Sequence, residues 1–504
     1  MRPRSGIVRV FLPVIALTML SAPVFGQWNV GTGGNPSRCG FCPVSGPEDG
    51  TVLWQGGAGA VISWQPMTDG GTLVTARCFD ISDVLHGTLI YAYRIDDGTL
   101  LWSADLPVDF PSTDWRNHLS AVRDSTVYAS RAGNTNSSYM YALSITDGSQ
   151  LWRSQDPVDE SSTEGVSFAP DGDLIVGCFN SIMRIDAQDG TTVWQEPRNS
   201  PTSGGSEAAV HDGRVYGWAA GAQGPTIQVF DLSTGDFLYQ SQGLGGGYVQ
   251  QLAPFVGPDG TVYAPRSQNN ASTDYLFALE DTGSALVQKW QVELGYVPFA
   301  SFSVGADGSV YSYGRDGSAI RIDPSTGQVL DTSMDVKAGI GTRMAADGQG
   351  RLFVASDGVL YSFDEDLSLR WSDAISGVDG PALAEDGSMV VCGTGTEVRV
   401  YSAGSTGIGE RGAGVESASA GLSLRANPVR DAAVFSVTAP AAGNSTLRVY
   451  TAEGRLVESL EAGQVASGAD IHLDVSGFPP GVYMAELEAG GAVTGPVRFV
   501  VLGR

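Results

Sequence analysis

The residues able to do chemistry are few in this chain and poorly spaced for it. Its four histidines, His86, His118, His211 and His472, are scattered, without the His-Glu-x-x-His pairing that sets two zinc ligands on one helix face. No Gly-x-Ser-x-Gly occurs, so no nucleophile elbow is signalled. Residues 407–412, GIGERG, match Gly-x-Gly-x-x-Gly, yet they sit among Gly, Ser and Ala and open no helix, so a bound dinucleotide would lack its helix N-terminus. The many Asp-Gly pairs resemble calcium ligands only in composition. They fall between short alternating strands, where Asp-Gly serves a tight turn. Cys39 and Cys42 form a Cys-x-x-Cys pair, which in an oxidising compartment leaves a local disulfide or free thiols open. Zinc would need two further ligands, and none is spaced for it. Cys78, Cys178 and Cys392 fall at strand ends and read as small apolar packing residues. These residues point to no catalysis, no metal and no cofactor.

What must position any site is a repeat. RIDDGTLLW at 94–102 returns as SITDGSQLW at 144–152, RIDAQDGTTVW at 184–194 and VFDLSTGDFLY at 229–239. Aligned on their last residue, the motifs end at Trp54, Trp102, Trp152, Trp194, Tyr239, Trp290, Asp331 and Trp371, 40 to 51 residues apart. Such a period carrying four short strands is the signature of a propeller blade. Residues 117–152 show the four pieces as NHLSAV, STVYASR, YMYALSI and SQLW. The aromatic at each motif end is expected to dock one blade on the next, as a large flat side chain filling the wedge between sheets. Asp331 lacks that body, so the sixth blade is expected to be the loosest. After Trp371 the segments ALAED, SMVVCG and EVRVYS supply three strands, and TVLW at 51–54 supplies the missing outer one. Closure by the two ends predicts an all-β, eight-bladed propeller over 51–401, with no open sheet edge.

The turns divide the ring into two faces. The first and third connections of each blade are tight, whereas length and variety collect on the other face, in DLPVDFPSTDWRNH, RAGNTNSS, QGLGGGYVQ, RSQNNASTD and LGYVPF. Loops on a rigid ring are where recognition resides. Trp115, Arg116, His118, Arg131, Tyr248, Arg266 and Tyr296 are the expected ligand-binding residues, with solvated loop residues or funnel plugs as the competing reading.

Composition bounds the partners. Of 504 residues, 55 are acidic and 29 basic, a net charge of −26. The first 26 residues hold three arginines and no acid, so the mature chain lies near −29. That charge repels nucleic acid and anionic lipid. Arg2, Arg4 and Arg9 precede an apolar run from Val10 to Leu20 and then SAPVFG, a signal peptide cleaved after Gly26. The run is too short to span a bilayer, and no other segment looks transmembrane.

The repeated Asp-Gly turn, β-rich strand and Leu-Trp ending resemble the quinoprotein-type, or PQQ-like, β-propeller repeat over about residues 28–401, and WNVGTGGNPSRCG resembles the lead-in of such proteins. The resemblance implies a fold more than a function, since this repeat serves quinone dehydrogenases, outer-membrane assembly scaffolds and binding proteins alike. The dehydrogenases carry adjacent cysteines against the cofactor, a calcium site and an Asp base on large loops. Here no two cysteines are adjacent and the repeats leave little room for such loops.

Beyond Tyr401 a Gly/Ser/Ala-rich linker, 402–421, leads to about seven short strands in 422–504, expected to form a small Ig-like or fibronectin-like β-sandwich. Asn427, Pro428, the AEGRLV turn with Gly454, PPGVY with Gly481 and Tyr483, and the terminal strand with Arg498 resemble the C-terminal sorting domain of type IX secretion. Arg498 stands where that family often has Lys. The resemblance implies export through the periplasm, with signal peptidase, the general export machinery and the type IX machinery as partners.

The sequence thus reads as a signal peptide (1–26), a lead-in (27–50), a propeller, a linker and a sorting domain. The expected product is a secreted or surface-attached monomer that binds an extracellular protein or glycan without catalysis. An extracellular hydrolase or lyase on the long-loop face, or a purely structural surface component, are the alternatives.

Overall fold

The computed structural model describes residues 28–403, apart from 58, 133–136, 160–165, 199–206, 247–251, 268–273, 378 and 396. In the C-terminal part it describes 422–424, 429–430, 432–437, 445–451, 456–463, 469–479, 481–489, 492–493 and 497–501. The signal peptide, most of the linker, Tyr248, Asn427, Pro428 and Gly454 lie outside the described residues. The chain divides into two compact units, 1–406 and 407–504, and among the described residues neither contains a helix.

The first unit is a succession of small antiparallel sheets, at 62–104, 118–153, 166–197, 209–240, 255–293, 303–335, 343–374 and 379–401. In the sheet at 118–153, His118–Arg123, Thr126–Ser130, Met140–Ser144 and Gln150–Arg153 lie side by side in chain order. Asp124 and Ser125 both take positive φ, as the two central residues of a type I′ hairpin turn require. The outermost strand is bulged against its neighbour after Ala142, and the same slip recurs after Ala92, Arg184, Val229, Ala278 and Ser362. The sheet at 379–401 takes its fourth strand, Val52–Gly56, from the start of the unit, pairing Trp54 with Val400.

Neighbouring sheets share apolar clusters. Met67, Val74 and Ile90 join Leu119, Val122 and Tyr141 in one of them. Others join each later pair in turn, and the last unites residues of 343–374 and 379–401 with Leu73 and Tyr93. The motif-ending Trp residues reach across these joints. Trp54, Trp102, Trp152, Trp194 and Trp290 donate Nε1–H to the carbonyls of Ile95, Ile145, Ala187, Leu232 and Pro324 in the following sheet, at 2.7, 2.7, 2.9, 3.0 and 2.9 Å. Each ring lies on the glycine of the next sheet's turn, so that a Cβ at Gly148, with φ +71°, would stand 2.8 Å from Trp102. Tyr239 instead donates its hydroxyl to Asp281 at 2.6 Å. Trp371 packs between Phe353 and Tyr401. Asp331 pairs at 3.1 Å with Arg321, which also holds Glu365 of the next sheet at 2.7 Å. An ionic tie therefore stands at the joint where the aromatic is missing.

Residues 28–46 do something the sequence did not signal. They run past the innermost strands of successive sheets, next to the tight turns. The carbonyls of Trp28, Asn29, Pro36, Ser37, Cys39 and Gly40 accept from the amides of Thr68, Val122, Val210, Val256, Val304 and Ala346 at 2.7 to 2.9 Å. Phe41–Cys42 then pairs in parallel with Ala346–Asp347. Arg38, buried and at φ +53°, donates to the carbonyls of Ala208, Thr32 and Val166. A lone lead-in thus satisfies the inward-facing amides of most sheets and fills the ring at its tight-turn end.

Cys39 and Cys42 are free thiols. Cys39 packs toward the apolar cluster of 252–367 and Cys42 belongs to the one that holds Phe353 and Leu383, and Gly40, at φ +63°, turns the chain between them. Burial raises both thiols, Cys42 to about 12, which keeps them protonated.

In the second unit, strands at 422–424, 432–437 and 470–474 form one sheet, and 445–451, 456–463, 481–489, 492–493 and 497–501 another. Ala433, Phe435, Ile471 and Leu473 from the first meet Leu447, Val449, Ala485 and Phe499 from the second in one core. Tyr483 stacks on Phe499 and donates its hydroxyl to the Pro479 carbonyl at 2.8 Å. Gly481 and Arg498 occupy paired strands of the larger sheet.

Candidate functional site on the long-loop face

Two connections, 79–87 and 105–117, leave the sheet at 62–104, and Arg131 and Ala132 begin a third at the end of Thr126–Ser130. Their organiser is Arg131. It was expected on an exposed loop because Gly, Asn and Ser follow it, but its side chain has no exposed surface. Its guanidinium donates to the carbonyls of Leu85, Leu106, Pro107 and Trp115 and to the carboxylate of Asp105. One cation thereby ties both long connections to the start of the third, spending its planar fork on main-chain acceptors.

Asp105 carries the arrangement outward. It also accepts from Asn117 Nδ2 at 2.7 Å, and its second oxygen lies 2.7 Å from Nδ1 of His86. The His86 side chain is 57% exposed, so the ring is oriented from behind while its far edge meets solvent. Asp83 fixes the same loop by accepting from the amides of Leu85 and His86, and Asp80 does so through Ser82. Arg116 donates to the Ile81 carbonyl at 2.5 Å and lies over the half-buried Trp115 ring at 5.4 Å. Ile81 is exposed beside it. Trp115, Arg116 and Ile81 therefore stand together, and Arg131 ties their connection to the one that carries His86.

The other expected site residues divide. His118 opens an innermost strand and is buried beside Trp64, with desolvation pushing its imidazole down to about 4. Arg266 is buried over Tyr275 and Phe277, so it too faces inward. Tyr296 is half-buried in a separate loop, which also carries the partly exposed Phe299 at φ +61°. Among the described residues of the expected set, only Trp115 and Arg116 share a surface. His86 was missed because a lone histidine in FDISDVLHG has no partner within reach in sequence; Asp105 is 19 residues away. Among the described residues, no group of three His, Cys, Asp or Glu is placed to hold a metal.

This geometry is that of a β-propeller whose longer connections are braced from within. Three overlapping stretches, 44–236, 136–289 and 278–416, match the family model described as outer membrane protein assembly factor BamB. Together they take in most of the chain, which belongs to this PQQ-like repeat family. Residues 426–501 match the secretion system C-terminal sorting domain, which directs the chain through type IX secretion to the cell surface or extracellular space. No curated protein matches the sequence. Among solved structures it is similar to the quinohemoprotein alcohol dehydrogenase from Comamonas testosteroni, at 10% identity over 79% of this chain and 84% of that one, with a TM-score of 0.53. It is also similar to a europium-containing methanol dehydrogenase, at 11% identity over 74% and 90%, TM-score 0.50. BamB from Moraxella catarrhalis gives 16% identity over 68% and 98%, TM-score 0.49. At such identities the two dehydrogenases show a shared fold alone.

Proposed function

We propose that the protein is an exported eight-bladed propeller, followed by an Ig-like sandwich, that binds a protein or glycan outside the cell through its long-loop face and does no chemistry of its own. The shared apolar clusters and the pairing of 52–56 with 398–401 support the closed ring. The observation that carries the binding role is the difference between the faces. At the tight-turn end the main chain of 28–46 uses the innermost amides and fills the ring. At the other end a buried guanidinium is spent on holding loops whose outer side chains keep polar and aromatic surface free. Pre-organised side chains on a braced loop cost little entropy on binding. Membership of a family described as an assembly factor is consistent with a scaffold.

The test is a screen of the isolated 27–401 propeller against glycans and secreted proteins. Any ligand found should be weakened by Trp115→Ala and Arg116→Ala, and left unchanged by substitutions in the turns at Asp147 and Asp189. Loss of binding from the turn variants, with the fold intact, would place recognition on the opposite face.

A further inference from the structure

The patch around Arg131 has a chemistry of its own, and the reading that follows rests on recognition through the long-loop face. We infer that His86, Trp115 and Arg116 form a subsite for a neutral glycan, with His86 as its fixed polar contact.

His86 is the first support. A surface histidine without a task swings freely, whereas this ring is held through Nδ1 by Asp105, itself held by Arg131 and Asn117. A carboxylate behind an imidazole fixes the ring's orientation and proton position, leaving Nε2 as a directed hydrogen-bonding atom. Trp115 adds an indole on the adjoining connection, since the guanidinium that holds the Leu85 carbonyl also holds that of Trp115 at 3.1 Å. Arg116 adds donors, of which Nη2 is spent on Ile81. A half-buried indole with a guanidinium over it, on a connection tied to the one that holds the imidazole, offers a pyranose ring an apolar edge for its faces and polar atoms for its hydroxyls.

Charge selects among glycans. At −26 the chain repels polyanions, and Asp80 and Asp83 stand exposed in the loop that presents His86. Hydroxyl groups accept from Arg116 and donate to carboxylates equally well, so a neutral polysaccharide fits where a uronate chain does not. A protein partner would require a larger central apolar surface than Ile81 and part of one indole supply.

The experiment is affinity electrophoresis of the 27–401 propeller in native gels containing laminarin, xylan, mannan or, as the polyanion, alginate. Retardation in at least one neutral gel is expected. His86→Ala should weaken it by about tenfold or more, the scale of a lost hydrogen bond to a fixed group. His86 is exposed enough for that change to leave the melting curve alone, which guards against Trp115→Ala failing to fold. Phe299→Ala, in a separate loop, should bind as the unaltered protein does. No retardation by any neutral polysaccharide, or retardation by alginate alone, overturns the inference. Retardation insensitive to His86→Ala overturns this subsite while leaving long-loop recognition standing, and only turn-face variants that abolish it would sink both.

Discussion

His118 shows how the same residue type can be legible in sequence and misplaced by it. The loop before it, ending in Trp-Arg-Asn, suggested exposure, yet His118 begins an innermost strand and lies inside. Period-two alternation marks a strand but not which of its ends is covered by a neighbouring sheet. Burial, with Arg116 and Arg131 nearby, pushes the imidazole from 6.5 to about 4. The unfolded chain then takes up a proton that the folded one refuses. The stability owed to a neutral His118 is complete above about pH 6.5 and is lost as pH falls toward about 4, by on the order of 3 kcal/mol. In urea titrations across that window, His118→Leu should show a smaller fall in stability than the unaltered chain. Parallel falls for the two would mean that the ring is hydrated in the folded state.

Among the elements, the turn and the Trp of the repeat proved to be halves of one contact, made between successive sheets rather than within one. The sequence shows both halves and their spacing, but not that Trp102 reaches the turn of the motif after its own. Two glycines separate this contact from ordinary turn strain. Gly148 and Gly213 have φ of +71° and +74°, yet a Cβ at Gly148 would meet the Trp102 ring at 2.8 Å and one at Gly213 would meet nothing within 4 Å. Both alanine substitutions carry the cost of positive φ, about 1 kcal/mol, and Gly148→Ala should add about 1 to 3 kcal/mol of overpacking. Trp102→Ala should cost about 3 to 5 kcal/mol as a buried aromatic truncation. Equal denaturation midpoints for the two glycine variants would remove the Trp–turn contact from the account. The joint at Asp331 was expected to be loose because it lacks an aromatic. Arg321, reaching Asp307, Asp331 and Glu365 at once, was not legible there, since the three carboxylates come from separate strands and turns.

For the whole molecule, the period made the ring readable, because every repeat repeats the same burial problem. The lead-in was named in the sequence but its course was not readable there, since 28–46 has no strand alternation and joins the ring through its main chain, which carries no sequence signature. Its position makes the two ends of the chain unequal. Deleting 27–56 removes both the segment that satisfies the innermost amides and the outer strand that pairs with Val398–Tyr401, so the unfolding temperature should drop sharply. Deleting 422–504 removes a unit with its own core, and the propeller should melt as before. The same independence makes the tail a transferable signal. Its two sheets close over Phe435, Leu447, Tyr483 and Phe499 in a core of their own, so export machinery can read it on a folded cargo. In a host with type IX secretion, the protein lacking 422–504 should accumulate, folded, in the periplasm. A periplasmic reporter carrying 422–504 should appear at the surface or in the medium. If fractionation found the truncated protein outside the cell in normal amounts, export would have to be carried by the propeller itself, and the exposed loops around His86 would become its first candidate signal.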